Sequence, residues 1–232
     1  MSPLSRLITI VVASTGTLAT QTVTPRWGGV VSTNLEPEPK LAEVLGPERA
    51  DAFYRWKDCS PDRGDCEKGS PVLPEQPVEV IFVRGDWTCV DVGGTGGSGG
   101  AWVQSGKLSP LVSDPEPRLA AWVGTWWPLG VKRGQGSNHL VIEKTPTADT
   151  LKVHGNAYWY GPLVDGHPVT HFGGVDGESK PQGNYLLIQE LDKGGNPVGC
   201  ELAMRLIGQY LIVADNSQCG GMNVRFWGLW QK

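Results

Sequence analysis

Short runs in which apolar and polar residues alternate recur along most of this chain, with turn-forming residues between them. The runs "VEVIFV" (78–83) and "WTCVDV" (87–92) flank the turn Arg84-Gly85-Asp86. Strand-like runs continue in the second half at spacings of about ten residues, namely "HLVIEK", "LKVHGNAYWY", "YLLIQEL", "CELAMRLIG", "QYLIVADN" and "NVRFWGLWQK". This pattern predicts a mainly β protein that ends in an antiparallel meander or barrel of about six to eight strands.

One segment departs from this alternation. Between Lys40 and Cys59, apolar residues recur at helical spacings, and Gly46-Pro47 divides the segment in two. We therefore expect short helices there, within a lead-in that covers residues 20–58.

The composition supports short strands and excludes one class of partner. Glycine and proline contribute 32 and 18 residues, which favours many turns over long helices. The ten tryptophans are expected at barrel ends or grooves, because a buried indole needs a partner for its N–H group. The net charge is −4 without a basic cluster, which argues against binding to nucleic acid.

The N-terminal residues 1–19 have the pattern of a secretory signal peptide. Arg6 provides a positive flank, residues 7–19 are mostly apolar, and Thr17-Leu18-Ala19 offers small residues at a cleavage site. A buried N-terminal strand is the alternative. The apolar run is shorter than the roughly 20 residues that a membrane span needs, and no later run replaces it. We expect a periplasmic or secreted protein without a membrane span.

The cysteines fit an oxidising compartment. Cys59 and Cys66 lie close in sequence, as do Cys200 and Cys219, so each pair could close a short loop by a disulfide. A zinc site is the competing interpretation, but neither pair has C-x-x-C spacing or nearby histidines. Cys89 is left over, in a predicted strand where cysteine usually acts as a small apolar residue. We expect no metal and no cofactor.

A glycine tract follows the run 87–92 and contains a literal G-x-G-x-x-G at Gly94, Gly96 and Gly99. In a dinucleotide-binding site, a helix begins immediately after this motif and directs its N-terminal amides at the pyrophosphate. Here the next run, "AWVQSGKL", alternates as a strand does. The tract is therefore interpreted as a hairpin loop that binds no phosphate.

The residues that flank the tract resemble a bacterial SH3-like domain. In that family a "GDW-x-x-V" strand precedes a "GWV-x-x-x-x-L" strand, and here Gly85-Asp86-Trp87 and Val90 match the first while Trp102-Val103 and Leu108 match the second. Alanine replaces the glycine before Trp102. The resemblance covers residues 59–112 and implies a small barrel, which a proline-marked linker at 113–117 separates from the rest.

Residues 118–232 resemble a lipocalin-like calycin barrel. Gly124-Thr125-Trp126 follows a short helical turn and matches the G-x-W signature that begins the first strand of such barrels. The layout as a whole is similar to uncharacterised exported bacterial proteins that join an SH3-like module to a small β-barrel. That likeness implies architecture and location, and it leaves the chemistry open.

Catalytic motifs are weak. His167 and His171 lie at i and i+4, but Pro168 and the surrounding glycines forbid the helix on which such a pair grips zinc. Asp176 and Glu178 could complete a loop site, although solvated loop residues are the simpler explanation.

Three hypotheses follow. The first is an exported, non-catalytic binding protein whose SH3-like groove around Trp87 and Trp102 holds a protein, a peptide or a cell-wall component, with an inhibitor or immunity protein as one form of it. The second is a carrier that holds a small apolar ligand in the C-terminal barrel. The third is a hydrolase that uses His167 and His171. The candidate binding residues are Trp87, Trp102, Trp126, Tyr158, Trp159 and His171.

Overall fold

The structure, a computed structural model, describes residues 40–54, 59–91, 100–131 and 138–232. The predicted signal peptide, most of the lead-in and the glycines of the G-x-G-x-x-G motif lie outside the described residues. The fold is mainly β, as predicted, and consists of two antiparallel sheets. Within the described part of the chain, no helix is long and apolar enough to cross a membrane.

The first sheet has six strands in the order β2-β5-β4-β3-β1-β6. Its strands are β1 (Lys40–Val44), β2 (Ala52–Tyr54), β3 (Val78–Arg84), β4 (Trp87–Asp91), β5 (Ala101–Gln104) and β6 (Leu108–Pro110). Gly85 has a φ of +55° in the tight turn between β3 and β4, a conformation that glycine adopts without steric cost. The run after the glycine tract is β5, which pairs antiparallel with β4, so the prediction that the tract joins strand to strand is confirmed.

The helices expected between Lys40 and Cys59 are absent from the described residues of that segment, which form β1 and β2 instead. The reason lies in the burial of β1. Ala42 and Val44 face the core of the first sheet, whereas Leu41 packs against the second. A strand that is buried on both faces carries apolar residues at consecutive positions, and this masks the period of two.

The second sheet is a nearly closed eight-stranded barrel in which consecutive strands are neighbours except β10 and β11, which are its two edges. Its strands are β7 (Gly124–Pro128), β8 (His139–Lys144), β9 (Leu151–Val164), β10 (His167–Ser179), β11 (Tyr185–Leu191), β12 (Pro197–Ile207), β13 (Tyr210–Asp215) and β14 (Gly228–Gln231). The first and last of these strands pair with each other, and the opening of the sheet lies between β10 and β11. Asp165 and Gly166 both have positive φ in the β9–β10 turn, as a tight type I′ hairpin requires.

The loop between β13 and β14 packs onto β10 around Gly173. Gly220 bridges to Gly173 on β10, and the Gly174 N–H donates to the Cys219 carbonyl at 3.0 Å. Cys219 is joined to Cys200 of β12 by a disulfide. The loop therefore connects the β12 side of the opening to β10. The second predicted disulfide, Cys59–Cys66, is also present.

The interior of the barrel is filled by its own side chains. Four large aromatic side chains in its core have no exposed surface: Trp122, Trp126, Phe226 and Trp230. Trp122 belongs to the short helix α1 (Leu119–Trp122), and its carbonyl accepts a hydrogen bond of 2.8 Å from Trp126 Nε1. Side chains commonly fill the interior of a small barrel in this way.

The two sheets share an apolar interface. Leu41 of β1 lies in one cluster with residues from the outer face of the barrel, among them Ala203, Ile212 and Leu229. At its edge, the Tyr210 hydroxyl donates to Glu43 at 3.0 Å. Burial, reinforced by this carboxylate, raises the pKa of Tyr210 above its usual value.

The glycine at position 173 permits the loop to approach β10, and this can be tested. A β-carbon there would overlap the Cys219 carbonyl oxygen, whereas one on Gly174 would meet nothing closer than 3.5 Å. We expect Gly173→Ala to lower the free energy of unfolding by about 1–3 kcal/mol and Gly174→Ala to change it little. Chemical denaturation of both variants measures the difference. Equal stabilities would show that the contact between loop and strand is dispensable.

Candidate functional site

A groove on the first sheet contains Trp87, one of the predicted binding residues. Its aromatic wall is formed by Phe53 of β2 and Trp87 of β4, whose rings meet edge to face with centroids 5.6 Å apart. The groove has a volume of about 580 Å³, a size typical of ligand-binding clefts. Both side chains are half-buried, so each ring has one surface available to a ligand.

The turn that the Cys59–Cys66 disulfide closes fixes the orientation of this tryptophan. Trp87 Nε1 donates to Asp62 Oδ1 at 2.7 Å, which satisfies the polar edge of the indole while its carbon surface stays at the groove. Asp65 holds the same turn by accepting from the Ser60 N–H at 2.6 Å. This bond, with further support from Arg63, lowers the pKa of Asp65 below its usual value.

Charged and polar side chains of both signs surround the aromatic wall. The lining includes Glu48, Arg49, Gln104 and Lys107. Asp51 also lines the groove and pairs with Lys68 at 2.9 Å. An aromatic surface with amide, carboxylate, guanidinium and ammonium groups around it can stack on flat or apolar parts of a ligand and hydrogen-bond to its polar parts.

Trp102, the predicted second wall of the groove, is buried with 2 % of its surface exposed. It projects from the same face of the sheet as Trp87, because it pairs with Cys89, two residues along β4. Cys59 packs in the same cluster as Trp102 and Cys89, so this cluster includes part of the disulfide-closed turn. The groove is therefore built on Phe53 and Trp87.

The other predicted binding residues lie on the barrel, and they do not surround one common opening. Trp126 is buried in the core. Tyr158 and Trp159 are consecutive on β9 and so project from opposite faces of the sheet. Trp159 contacts the ring of His171 on β10, with centroids 5.0 Å apart, and Tyr158 contacts Phe172 on the outer face.

The histidine pair considered for a hydrolase lies in a strand. His167 and His171 are both in β10, and four residues of strand separate two positions by about 13 Å, too far to share one metal ion. His171 Nδ1 contacts the backbone oxygen of Met222, and Asp176 pairs with Lys152 at 3.5 Å.

Among the described residues, one group of His, Cys, Asp or Glu has the spacing of metal ligands. It consists of Cys59, Asp65 and Cys66. The two sulfurs of this group already form a disulfide, which removes the thiolates that a metal would need.

Sequence reasoning missed Phe53 and Asp62 of the groove. The apolar spacing around Phe53 predicts a helix, and nothing in the turn sequence indicates which side chain Asp62 contacts. It also missed the aromatic residues that adjoin Tyr158, among them Tyr160 and Phe172. The alternation along β9 was the available signal, because Tyr158 and Tyr160 are two residues apart and so share one face of the sheet.

Comparisons with known proteins assign no family. No protein-family model matches this chain. No curated protein matches it, and no solved structure matches it.

Proposed function

We propose that this chain is an exported, non-catalytic binding protein whose groove over Phe53 and Trp87 holds a peptide or a peptide-bearing cell-wall component. The observation that carries the proposal is the pair of half-buried rings in a groove of about 580 Å³ with charges of both signs around it. Grooves with a few placed polar groups around an apolar surface are the usual form of a ligand site.

The chemistry of the rim favours a peptide. Glu48 can accept from an amine or a backbone N–H group, and Arg49 and Lys107 can donate to a carboxylate or a carbonyl. The Gln104 amide can do both, as a peptide backbone also does. The aromatic wall then suits an apolar or proline side chain between the polar contacts.

Two disulfides support the exported location. Disulfides persist in the periplasm and outside the cell, and they are rare in the cytosol. Both bridges close short stretches of chain, with sequence separations of 7 and 19 residues. The predicted signal peptide agrees with this location.

Replacement of Trp87 with alanine tests the groove. We expect the wild-type protein to bind the soluble peptides released from purified bacterial peptidoglycan, which carry no glycan chain. Trp87→Ala should weaken this binding by at least tenfold, because an aromatic anchor at the centre of a site contributes much of the binding energy.

Trp227→Ala is the matched control, since Trp227 lies on the barrel and is 41 % exposed. Its binding of the peptides should equal that of the wild type. Thermal unfolding of both variants excludes a folding defect as the cause of lost binding. Absence of wild-type binding to the peptides, or equal peptide binding by both variants, would overturn the proposal.

A further inference from the structure

The outer face of the barrel carries two neighbouring groups of rings, which together we call the aromatic belt. It consists of Trp127, His139, Tyr158, Tyr160 and Phe172, from four neighbouring strands β7 to β10. Trp127 contacts His139 with ring centroids 5.5 Å apart, and Tyr158 contacts Phe172 at 5.3 Å. Tyr158 and Tyr160 are nearly parallel, with 10° between their planes.

Strand pairing places these rings side by side. Tyr158 is directly opposite Phe172 in the β9–β10 register, and Tyr160 follows it on the same face of β9. Tyr160 is 60 % exposed and Phe172 is 55 % exposed. Aromatic residues dominate binding energies where they lie at a surface, and a contiguous exposed cluster of them marks a binding face.

Among the described residues of this face, the charged side chains lie along the strands away from the five rings. Glu143 is 3.7 Å from His154, Lys152 pairs with Asp176 at 3.5 Å, and Glu178 is opposite Lys152 in register. The rings themselves therefore offer stacking and hydrogen bonding as their means of holding a ligand.

Polar groups are interspersed among the rings. The tyrosine hydroxyls can donate and accept hydrogen bonds. Asn156 lies in register between His139 on one side and Gly174 on the other, and the absence of a side chain at Gly174 leaves room beside its amide. A sugar ring matches this alternation, because its C–H face stacks on aromatic carbon while its hydroxyl groups hydrogen-bond to amides and phenols.

We propose that the aromatic belt binds an uncharged glycan chain. Tyr158, Tyr160 and Phe172 provide the stacking surface, and Asn156 and the tyrosine hydroxyls hydrogen-bond to the sugar hydroxyls. This site lies on the other sheet from the Phe53–Trp87 groove and takes a different class of ligand, so it does not depend on the proposed function.

Co-sedimentation with two insoluble neutral glycans, chitin and cellulose, tests this proposal. We expect wild-type protein to be retained on at least one of them, with little change between low and high salt because the contacts involve no ion pairs. The double variant Tyr160→Thr with Phe172→Thr should reduce retention at least tenfold. Threonine suits an exposed strand, so the fold should persist, and thermal unfolding checks that it does.

One control variant distinguishes binding at the belt from binding elsewhere on the protein. Val83→Thr changes a residue of the first sheet that is 61 % exposed, and it should leave retention unchanged. The soluble peptides test the groove and the neutral glycans test the belt, so that failure of the belt and failure of the groove are distinguishable.

Several outcomes would overturn the proposal. They are absence of wild-type retention on both glycans, equal retention by the double variant, and retention only on an anionic polymer such as carboxymethylcellulose. Sedimentation velocity tests one further outcome that would overturn the proposal. If the wild type is a dimer that the double variant converts to a monomer, the belt is a contact between two copies of this chain.

Discussion

Replacement of Asp215 with alanine is expected to lower the free energy of unfolding by about 3–5 kcal/mol, because the variant loses three hydrogen bonds to a buried carboxylate and each bond to a charged group contributes about 1.5–3 kcal/mol. Asp215 ends β13 and has no exposed surface. Its carboxylate accepts hydrogen bonds from the Ser217 N–H at 2.9 Å, from the Phe226 N–H, and from Arg225 at 3.3 Å. Without it, the buried Phe226 N–H loses its acceptor.

The size of this effect follows from the position of the partners. Ser217 lies at the start of the loop that packs on β10, and Arg225 and Phe226 lie at its end. One carboxylate therefore fixes both ends of the loop. Urea denaturation of the wild type and of Asp215→Ala measures the change in stability.

Asp192→Ala is a matched control for this experiment. Asp192 also accepts hydrogen bonds from backbone N–H groups, those of Gly194 at 2.8 Å and Asn196 at 2.9 Å, and these bonds lower its pKa. It lies in an exposed turn, so water can replace the lost carboxylate and the effect should be much smaller. Equal losses in the two variants would contradict the role assigned to Asp215.

Removal of the Cys200–Cys219 disulfide is expected to have the second largest effect. The double replacement with alanine should cost about 3 kcal/mol from the added chain entropy of the unfolded state, which lowers Tm by roughly 6–12 °C for a chain of this size. The loss should also release the loop from β10. Thermal unfolding measures the first effect. Amide hydrogen exchange measures the second at Gly174 and Gly221, whose N–H groups donate to the Cys219 and Phe172 carbonyls across the contact between loop and strand.

Removal of the other disulfide provides the comparison. Cys59 and Cys66 are 7 residues apart, against 19 for Cys200 and Cys219, so the entropic effect should be smaller. Exchange at Gly174 should not change, because this bridge lies in the first sheet. If exchange at Gly174 stays slow without the Cys200–Cys219 bridge, the loop is held by its packing and hydrogen bonds alone.

Strand β9 of the barrel could be predicted from the sequence because it is buried on one face only. Its inward side chains Leu151, Val153 and Ala157 are buried, and the outward side chains between them are partly exposed. This alternation is visible in the sequence without any knowledge of the partners. The same reasoning failed for β1, where both faces are covered.

The binding residues were harder to predict than the strands. Trp87 and Trp102 project from one face of one sheet, yet only Trp87 reaches a groove. The Trp102 ring is covered by Phe82, with ring centroids 5.2 Å apart, and by the Arg84 guanidinium at 5.5 Å. Such coverage depends on tertiary contacts, and strand periodicity does not encode it.

The strand β1 belongs to two cores at once, since Ala42 and Val44 complete the first sheet while Leu41 covers part of the barrel. Separation of the sheets would expose the apolar outer face of the barrel at Ala203 and Ile212 to water. We therefore expect local unfolding of β1 to destabilise both sheets. The two sheets should then unfold as one cooperative unit, although they resemble separate modules in sequence.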